Sequence, residues 1–384
     1  MLSATAAFAE DQPSSNGRDL AILGPRNSEV EKQNPDFIEP PKTDHGAVPN
    51  LKFSFAETHR KIRGPGGWSR EVTVRELPVA KEIAGVNMRL TAGGVRELHW
   101  HKEAEWSFMI AGKARITAID QDGHNFVDDV EAGDLWFFPS GIPHSIQGLS
   151  PDGCEFLLAF ADGSFSEDNT FAITDMFAHM PKEALAKNFG VSPDALAKIP
   201  SGEKFIFQAE LPPDLKQDTI ESPAGRVPKD MKFKMMQMAP KQSPGGTVRI
   251  VDSNNFPIST DIAAALVEVQ PGHIREVHWH PNADEWQYYV EGQGRMTVFA
   301  AQGNARTFDY HAGDVGYVPK SMPHFVENTG SSTLRFIELF RSLHYEDVSL
   351  TQWMALTPHE LVQAHVNLDR AILDRLPKDK RPVV

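Results

Sequence analysis

One metal-ligand pattern occurs twice in this chain, and the duplication constrains the fold more than any other feature. RELHWHKEAEWSFMIAG at 96–112 and REVHWHPNADEWQYYVEG at 275–292 each carry His-Trp-His followed by a glutamate. GDLWFFPSGIPH at 133–144 and GDVGYVPKSMPH at 313–324 each add one more histidine. Corresponding histidines lie 179 or 180 positions apart. On a strand, residues i and i+2 share a face, so His99 and His101 point together, as do His278 and His280. The candidate ligand sets are His99, His101, Glu105 and His144 in the first copy, and His278, His280, Glu285 and His324 in the second. Three imidazoles and one carboxylate leave positions open on an octahedral cation such as manganese or iron, where a small oxygen ligand can bind. Six of the 15 histidines recurring beside matched glycines and prolines is not a chance pairing of surface histidines. A duplicated scaffold kept only for storage would have lost ligands in at least one copy, and neither copy has.

At 384 residues the chain accommodates two domains, as the repeat requires. The net charge of −14 excludes a general nucleic-acid binder, because no basic stripe is present to neutralise phosphates. No apolar run approaches a membrane span. Cys154, the single cysteine, excludes an intrachain disulfide framework and reads as a buried strand residue. The opening MLSATAAFA admits two readings, the remnant of an export signal or a cytoplasmic leader, so localisation stays open.

Residues 1–50, rich in Pro, Asn, Ser and acids from position 10, read as an irregular arm that wraps a barrel surface. Residues 51–230 form a first domain of short strands with turn signals such as Asp122-Gly123, followed by helices and a linker. Residues 231–384 repeat the plan, ending in LTQWMALTPHELVQAHVNLDRAI. Short alternating strands indicate antiparallel barrels. The fold expected is all-β dominated, two tandem antiparallel β-barrels each followed by short helices that serve assembly. Trp100 and Trp279, on the face opposite the ligands, are expected to cover a barrel seam or subunit contact; Trp106 and Trp286 are expected in the core.

Gly93, His99, His101, Glu105 and Gly112 resemble the first motif of the cupin superfamily, and Gly133, Pro139, Gly141 and His144 the second. Two departures stand out: Gly148 replaces the usual closing Asn, and Ser321 replaces the glycine before His324. Over nearly the whole chain the sequence resembles the bacterial oxalate decarboxylases, a bicupin family. QNPDFIEPPKTDHG at 33–46, EVTVRELP at 71–78, GSFSEDNTF at 163–171, DEWQYYVEG at 284–292, FIELF at 336–340 and the terminal RPVV carry that likeness. The resemblance implies jelly-roll barrels, two manganese ions per chain, dioxygen as a co-reagent that is not consumed, and conversion of oxalate to formate and carbon dioxide. It also implies a homo-oligomer, a trimer or a hexamer of stacked trimers.

A small dianion needs a fixed positive donor beside the metal. Arg96 and Arg275 stand three residues before the first histidine of each set, and a guanidinium can meet a carboxylate with two parallel hydrogen bonds. Strict alternation aims both away from the metal, so the chain is expected to bend after Gly93-Gly94 and after Gly272. Between aligned Phe160/Phe340 and Thr174/Thr351 the first half holds three extra residues, within GSFSEDNTF. Such an excursion at a barrel mouth reads as a lid. The resemblance makes its glutamate, Glu167, the proton-transfer group; the family's Ser-Glu-Asn-Ser reads Ser166-Glu167-Asp168-Asn169 here. Glu338, in FIELF, is a second base candidate or a structural partner of Arg275, with its carboxyl expected to be raised by burial. Chemistry is assigned to the first site. Oxalate oxidation to peroxide and carbon dioxide is the alternative reaction; a non-catalytic storage or acid-binding bicupin is the alternative class. A dioxygenase for a larger aromatic substrate should not need paired arginines.

Overall fold

The computed structural model describes residues 27–34 and 40–384. The opening nine residues lie outside the described segments, as do parts of the expected arm. Residues 40–50 of that arm run over the second barrel: the Asp44 carboxylate accepts from the Thr307 backbone N–H at 2.9 Å and its hydroxyl at 2.7 Å. Val48 and Leu51 complete that barrel's core.

Each half is an antiparallel barrel. In the first, Glu105–Ile119 runs as one 15-residue strand. Its first part pairs with Leu135–Phe138 and Cys154–Phe160, its second with Asn125–Glu131 and His144–Gly148. It turns from one sheet to the other at Gly112, whose φ is 77°. A Cβ there would lie 2.0 Å from the Gly153 carbonyl oxygen, so only glycine lets the strands close at this corner. In the second barrel Gly292 cuts the equivalent strand into Glu285–Glu291 and Gln293–Phe299, which belong to separate seven- and five-stranded sheets.

The expected boundaries near residues 51 and 231 are each crossed by a short strand. Lys52–Ser54 pairs with the second barrel through Lys52↔Gly316, and Lys232–Phe233 pairs with the first through Lys232↔Trp136. A shared apolar layer joins the barrels, with Trp106, Phe137 and Leu157 from one and Trp286, Tyr317 and Leu339 from the other. Strand alternation explains this layer: Glu105 faces its barrel's interior and Trp106, one residue on, faces the neighbouring barrel. Both tryptophans are therefore core, as expected, and Cys154 is a buried strand residue.

The helices Ile173–His179, Lys182–Phe189, Leu350–Leu356 and His359–Val366 follow the two barrels at the expected places. Phe171, just before the first of them, stacks on Trp100 with ring centroids 5.6 Å apart, and Trp353 meets Trp279 edge-on at 5.7 Å. Among the described residues no helix is long and apolar enough to cross a membrane.

Two candidate metal centres and a lid

His99 and His278 each sit on an interior strand, Gly94–Trp100 and Ile274–Trp279, paired directly with the last histidine of its own set: His99↔His144 and His278↔His324. The glutamates open the next strands, Glu105–Ile119 and Glu285–Glu291. All eight residues are buried, and within each set the ligand atoms lie within 4.8 Å of one another.

Hydrogen bonding fixes the state of every imidazole. The Nδ1 of His99 donates to the Glu97 carbonyl, that of His101 to Glu103 and that of His144 to Ile142, each at 2.7 Å. In the second centre His278 donates to Glu276 and His280 to Glu346 at 2.7 Å, and His324 to Met322 at 3.0 Å. A carbonyl only accepts, so each Nδ1 carries a proton and, in the neutral ring, each Nε2 turns its lone pair toward the set. Burial, reinforced by the neighbouring arginine, pushes His99 and His278 well below the usual imidazole range, which keeps them neutral.

The lone pairs converge on a carboxylate oxygen. Glu105 Oε2 lies 3.2 Å from His101 Nε2 and 3.4 Å from His144 Nε2; Glu285 Oε2 lies 3.1 Å from His280 Nε2 and 2.8 Å from His324 Nε2. The other carboxylate oxygen is held back by Ser107 Oγ at 3.0 Å in one centre and Gln287 Nε2 at 2.7 Å in the other. Nε2 of His144, His278, His280 and His324, with Glu285 Oε2, are buried without a hydrogen-bond partner. Acceptors facing one another in a dry pocket repel unless a cation sits among them. The donor sets therefore fit divalent manganese or iron. Asp120, Asp122 and His124 also cluster, but there Asp120 already accepts from both backbone N–H groups and from His124 Nδ1 at 2.8 Å, which makes a self-satisfied hairpin turn.

The arginines do face inward, by a different device from the bends expected after the glycines. The pairing register slips between Arg96 and His99, and again between Arg275 and His278. Three steps on the ligand strand (96 to 99) match two on its partner (Ile146 to His144). This β-bulge inserts the extra residue that turns an odd spacing into a shared face. Leu98, within the bulge, is expelled to solvent at 50% exposure while Arg96 and His99 are buried.

From this common frame the centres diverge. Arg96 Nη2 donates to Glu167 Oε2 at 3.1 Å and Nη1 to the Phe205 carbonyl at 3.4 Å, while its Nε is buried with no partner. Glu167 opens the 3₁₀ turn Glu167–Asn169 at the lid's centre. The lid lies closed: Glu167 is buried, its backbone N–H donates to Glu71 at 3.1 Å, Asp168 pairs with Lys61 at 2.6 Å, and Phe165 stacks on Phe160 at 3.6 Å. Burial pushes the Glu167 carboxyl up, and Arg96 and Lys61 offset this only in part.

Arg275 is fully engaged. Nε donates to Glu338 at 3.2 Å, Nη1 to the Pro382 carbonyl at 3.2 Å, and Nη2 to the Tyr345 hydroxyl at 2.7 Å and Asp347 at 2.9 Å. Burial pushes the Glu338 carboxyl up, with Arg275 again a partial offset. Burial also opposes ionisation of Asp347, but Arg275 and Lys380 hold it far below the usual carboxylate range. Tyr345 and Asp347 were not among the expected site residues; nothing in their spacing sets them apart. The strand Ile206–Gln208, expected as linker, pairs with the ligand strand through Ile206↔Arg96 and brings Phe205 into the site. Its aromatic, apolar KFIFQ run is the signal that could have found it.

The sequence matches the family described as Cupin at residues 53–196 and again at 237–372. It is 55% identical over 373 residues to oxalate decarboxylase OxdC of Bacillus subtilis, covering 97% of this chain and 96% of that protein. A probable oxalate decarboxylase of Arthroderma benhamiae is 39% identical, over 96% and 92% of the two chains. A solved structure of the Bacillus subtilis enzyme at pH 4.6 superposes with a TM-score of 0.94 at 55% identity, covering 97% of each chain. Another, from work on the Mn(II) centres of that enzyme, superposes equally well at 54% identity. With two cupin barrels in tandem and relatives aligned from end to end, the chain belongs to the cupin family's bicupin oxalate decarboxylases.

Proposed function

We propose that this chain converts oxalate to formate and carbon dioxide at its first centre, holding manganese in both centres and using dioxygen as co-reagent. The observation that carries the reading is the buried pairing of Arg96 with the lid carboxyl Glu167, at 3.1 Å, beside the first ligand set. Monoanionic oxalate, HC2O4−, becomes HCO2− and CO2: one carbon–carbon bond breaks, one proton moves from oxygen to carbon, and no net electrons are exchanged. His99, His101, Glu105 and His144 would hold the manganese, which when bound would supply Lewis acidity and, with dioxygen, a reversible electron acceptor. The open Nε–H of Arg96 meets a substrate carboxylate as a charge-assisted donor. Glu167, with its carboxyl raised by burial, takes the substrate proton and returns it to carbon. The closed lid, with Phe165 seated on Phe160, keeps bulk water away from that transfer.

The second centre suits a structural or weakly active role. His280 is oriented by the carbonyl of Glu346, on the segment that replaces the lid there. Opening that segment would remove the hydrogen bond that orients a ligand histidine, whereas His101 is oriented by Glu103 and leaves the first lid free to move. Assembly into a trimer or hexamer is part of the same reading. It is supported by the exposed apolar side chains of the C-terminal helices, Trp353, Leu356, Leu361 and Val366.

The test is to give oxalate to manganese-loaded protein and quantify formate, carbon dioxide, peroxide and dissolved oxygen. Equal formate and carbon dioxide with no net oxygen uptake supports the proposal. Peroxide with two carbon dioxides per oxalate would make the chain an oxidase, and no product would leave a metal-binding bicupin. Light scattering on the same preparation reports the assembly.

A further inference from the structure

We infer that Phe205 is the positioning residue that holds the buried Arg96 guanidinium correctly aimed while leaving its Nε–H free for substrate, an inference that rests on the oxalate reading above. The Arg96 guanidinium lies over the Phe205 ring, 4.5 Å from its centroid, and donates to the carbonyl of the same residue. The backbone of Phe205 is locked to the bulge beside Arg96. Its carbonyl accepts from the Glu97 N–H at 3.1 Å, and its N–H donates to the Glu97 carboxylate at 3.3 Å. To do this Phe205 adopts a left-handed φ of 61° while wholly buried. A bulky residue takes that conformation only where the surroundings impose it, and such strain gathers at functional sites.

The choice of an aromatic ring has a chemical consequence. A carboxylate that stabilises a buried guanidinium also occupies its N–H groups, which is the situation of Arg275, where Glu338, Asp347 and Tyr345 take Nε and Nη2. A ring face stabilises the same charge without accepting a directed hydrogen bond. Arg96 thus keeps a buried, desolvated donor in reserve. The ring is also shared with the lid: Lys61, which pairs with Asp168, lies 4.3 Å from the same centroid. Phe205 is the seat on which the substrate clamp and the lid's ion pair meet.

The experiment is a double-substitution cycle on manganese-loaded protein, read as oxalate affinity by calorimetry alongside kcat and KM for formate. Phe205→Leu keeps the carbonyl and the apolar bulk and removes the ring. It is expected to weaken oxalate binding roughly tenfold, with metal content unchanged, while Phe205→Tyr, which keeps the ring face, stays within about twofold of the parent. In an Arg96→Gln background the same leucine substitution should cost nothing further. Equal losses in both backgrounds, or a leucine variant that binds like the parent, would overturn the inference. If the leucine variant does not fold, Phe205→Met replaces it under the same two outcomes. Formate production by the parent protein tests the functional reading separately, because the Phe205–Arg96 coupling is read from binding whichever product forms.

Discussion

Both barrels present the same four ligands from the same strands, with the same bulge placing an arginine beside them, yet they finish the site in opposite ways. Around Arg275 every nitrogen is satisfied within the protein, and the loop that takes Nη2 through Tyr345 and Asp347 also orients His280 through the Glu346 carbonyl. Around Arg96 one nitrogen is left open, the acid is on a separable lid, and His101 is oriented by Glu103 from its own loop. A metal centre becomes a reaction site when its surroundings keep a donor unspent and a proton carrier mobile. The ligand set alone does not distinguish the two.

The largest effect expected follows from breaking the centres one at a time. His101→Ala should remove the first metal and reduce formate production to background, while His280→Ala should remove the second and leave substantial turnover. Elemental analysis with a formate assay checks both. Loss of turnover only in the second variant would reverse the assignment.

Next in size is the contrast between the two buried acids. Glu167→Ala should lower formate production by on the order of 10²–10⁴-fold, the usual worth of a positioned acid–base group, and raise the peroxide fraction at constant metal content. Glu338→Ala should leave the product ratio alone. The pH dependence has a definite sign. Burial raises the Glu167 carboxyl, so it loses its proton at higher pH than an ordinary glutamate, which titrates near about pH 4.3. Turnover needs one proton shared between oxalate and Glu167. It should therefore fall as pH rises through the raised value, later than an unshifted carboxyl would allow. A formate profile with its limb in the ordinary glutamate range would argue against Glu167 as the carrier.

The arginines sharpen the contrast in a different measurement. Arg275→Ala leaves Glu338 buried without its cation and Asp347 with Lys380 alone, which should cost about 3–5 kcal/mol of stability, read as a lower denaturation midpoint. Arg96→Lys keeps a charge but loses the planar fork, and should cost about 1–3 kcal/mol of transition-state stabilisation, read in kcat/KM, with little change in the midpoint. If Arg96→Lys changed only stability, the open Nε would have no part in binding substrate.

The sequence made the ligands legible because metal binding imposes local spacing: two histidines at i and i+2, a glutamate a few residues on, a fourth ligand on a strand paired with the first. Buried Glu338 was legible for a similar reason, an acid in an otherwise apolar strand. The bulge was not, because an inserted residue leaves no mark in composition; it shows only in the pairing of Arg96 with Ile146 and His99 with His144. Nor were Tyr345, Asp347 and the strand Ile206–Gln208, whose roles arise from contacts across 70 and more positions of chain. Tertiary contacts of that kind decide which centre is open and which is closed.

The smallest effect expected concerns a departure that sequence comparison flagged and the fold explains. Gly141 and Ser321 occupy the same turn before the last ligand, and each donates its N–H to the carbonyl of a ligand histidine: Gly141 to His101 at 2.9 Å and Ser321 to His280 at 3.0 Å. Both are left-handed, with φ of 76° and 64°. Glycine accepts that geometry freely, whereas serine carries a Cβ that opposes it. The second centre therefore bears a strain the first does not. Ser321→Gly should relieve it, less the extra chain entropy glycine brings to the unfolded state, for a net gain of about 0.5–1 kcal/mol. Gly141→Ser should lose a comparable amount. Urea midpoints at unchanged slope measure both, with metal content as a control on the neighbouring histidines. A glycine at 321 that failed to stabilise would mean that the serine hydroxyl contributes to the fold what its backbone costs, and that the two turns are matched after all.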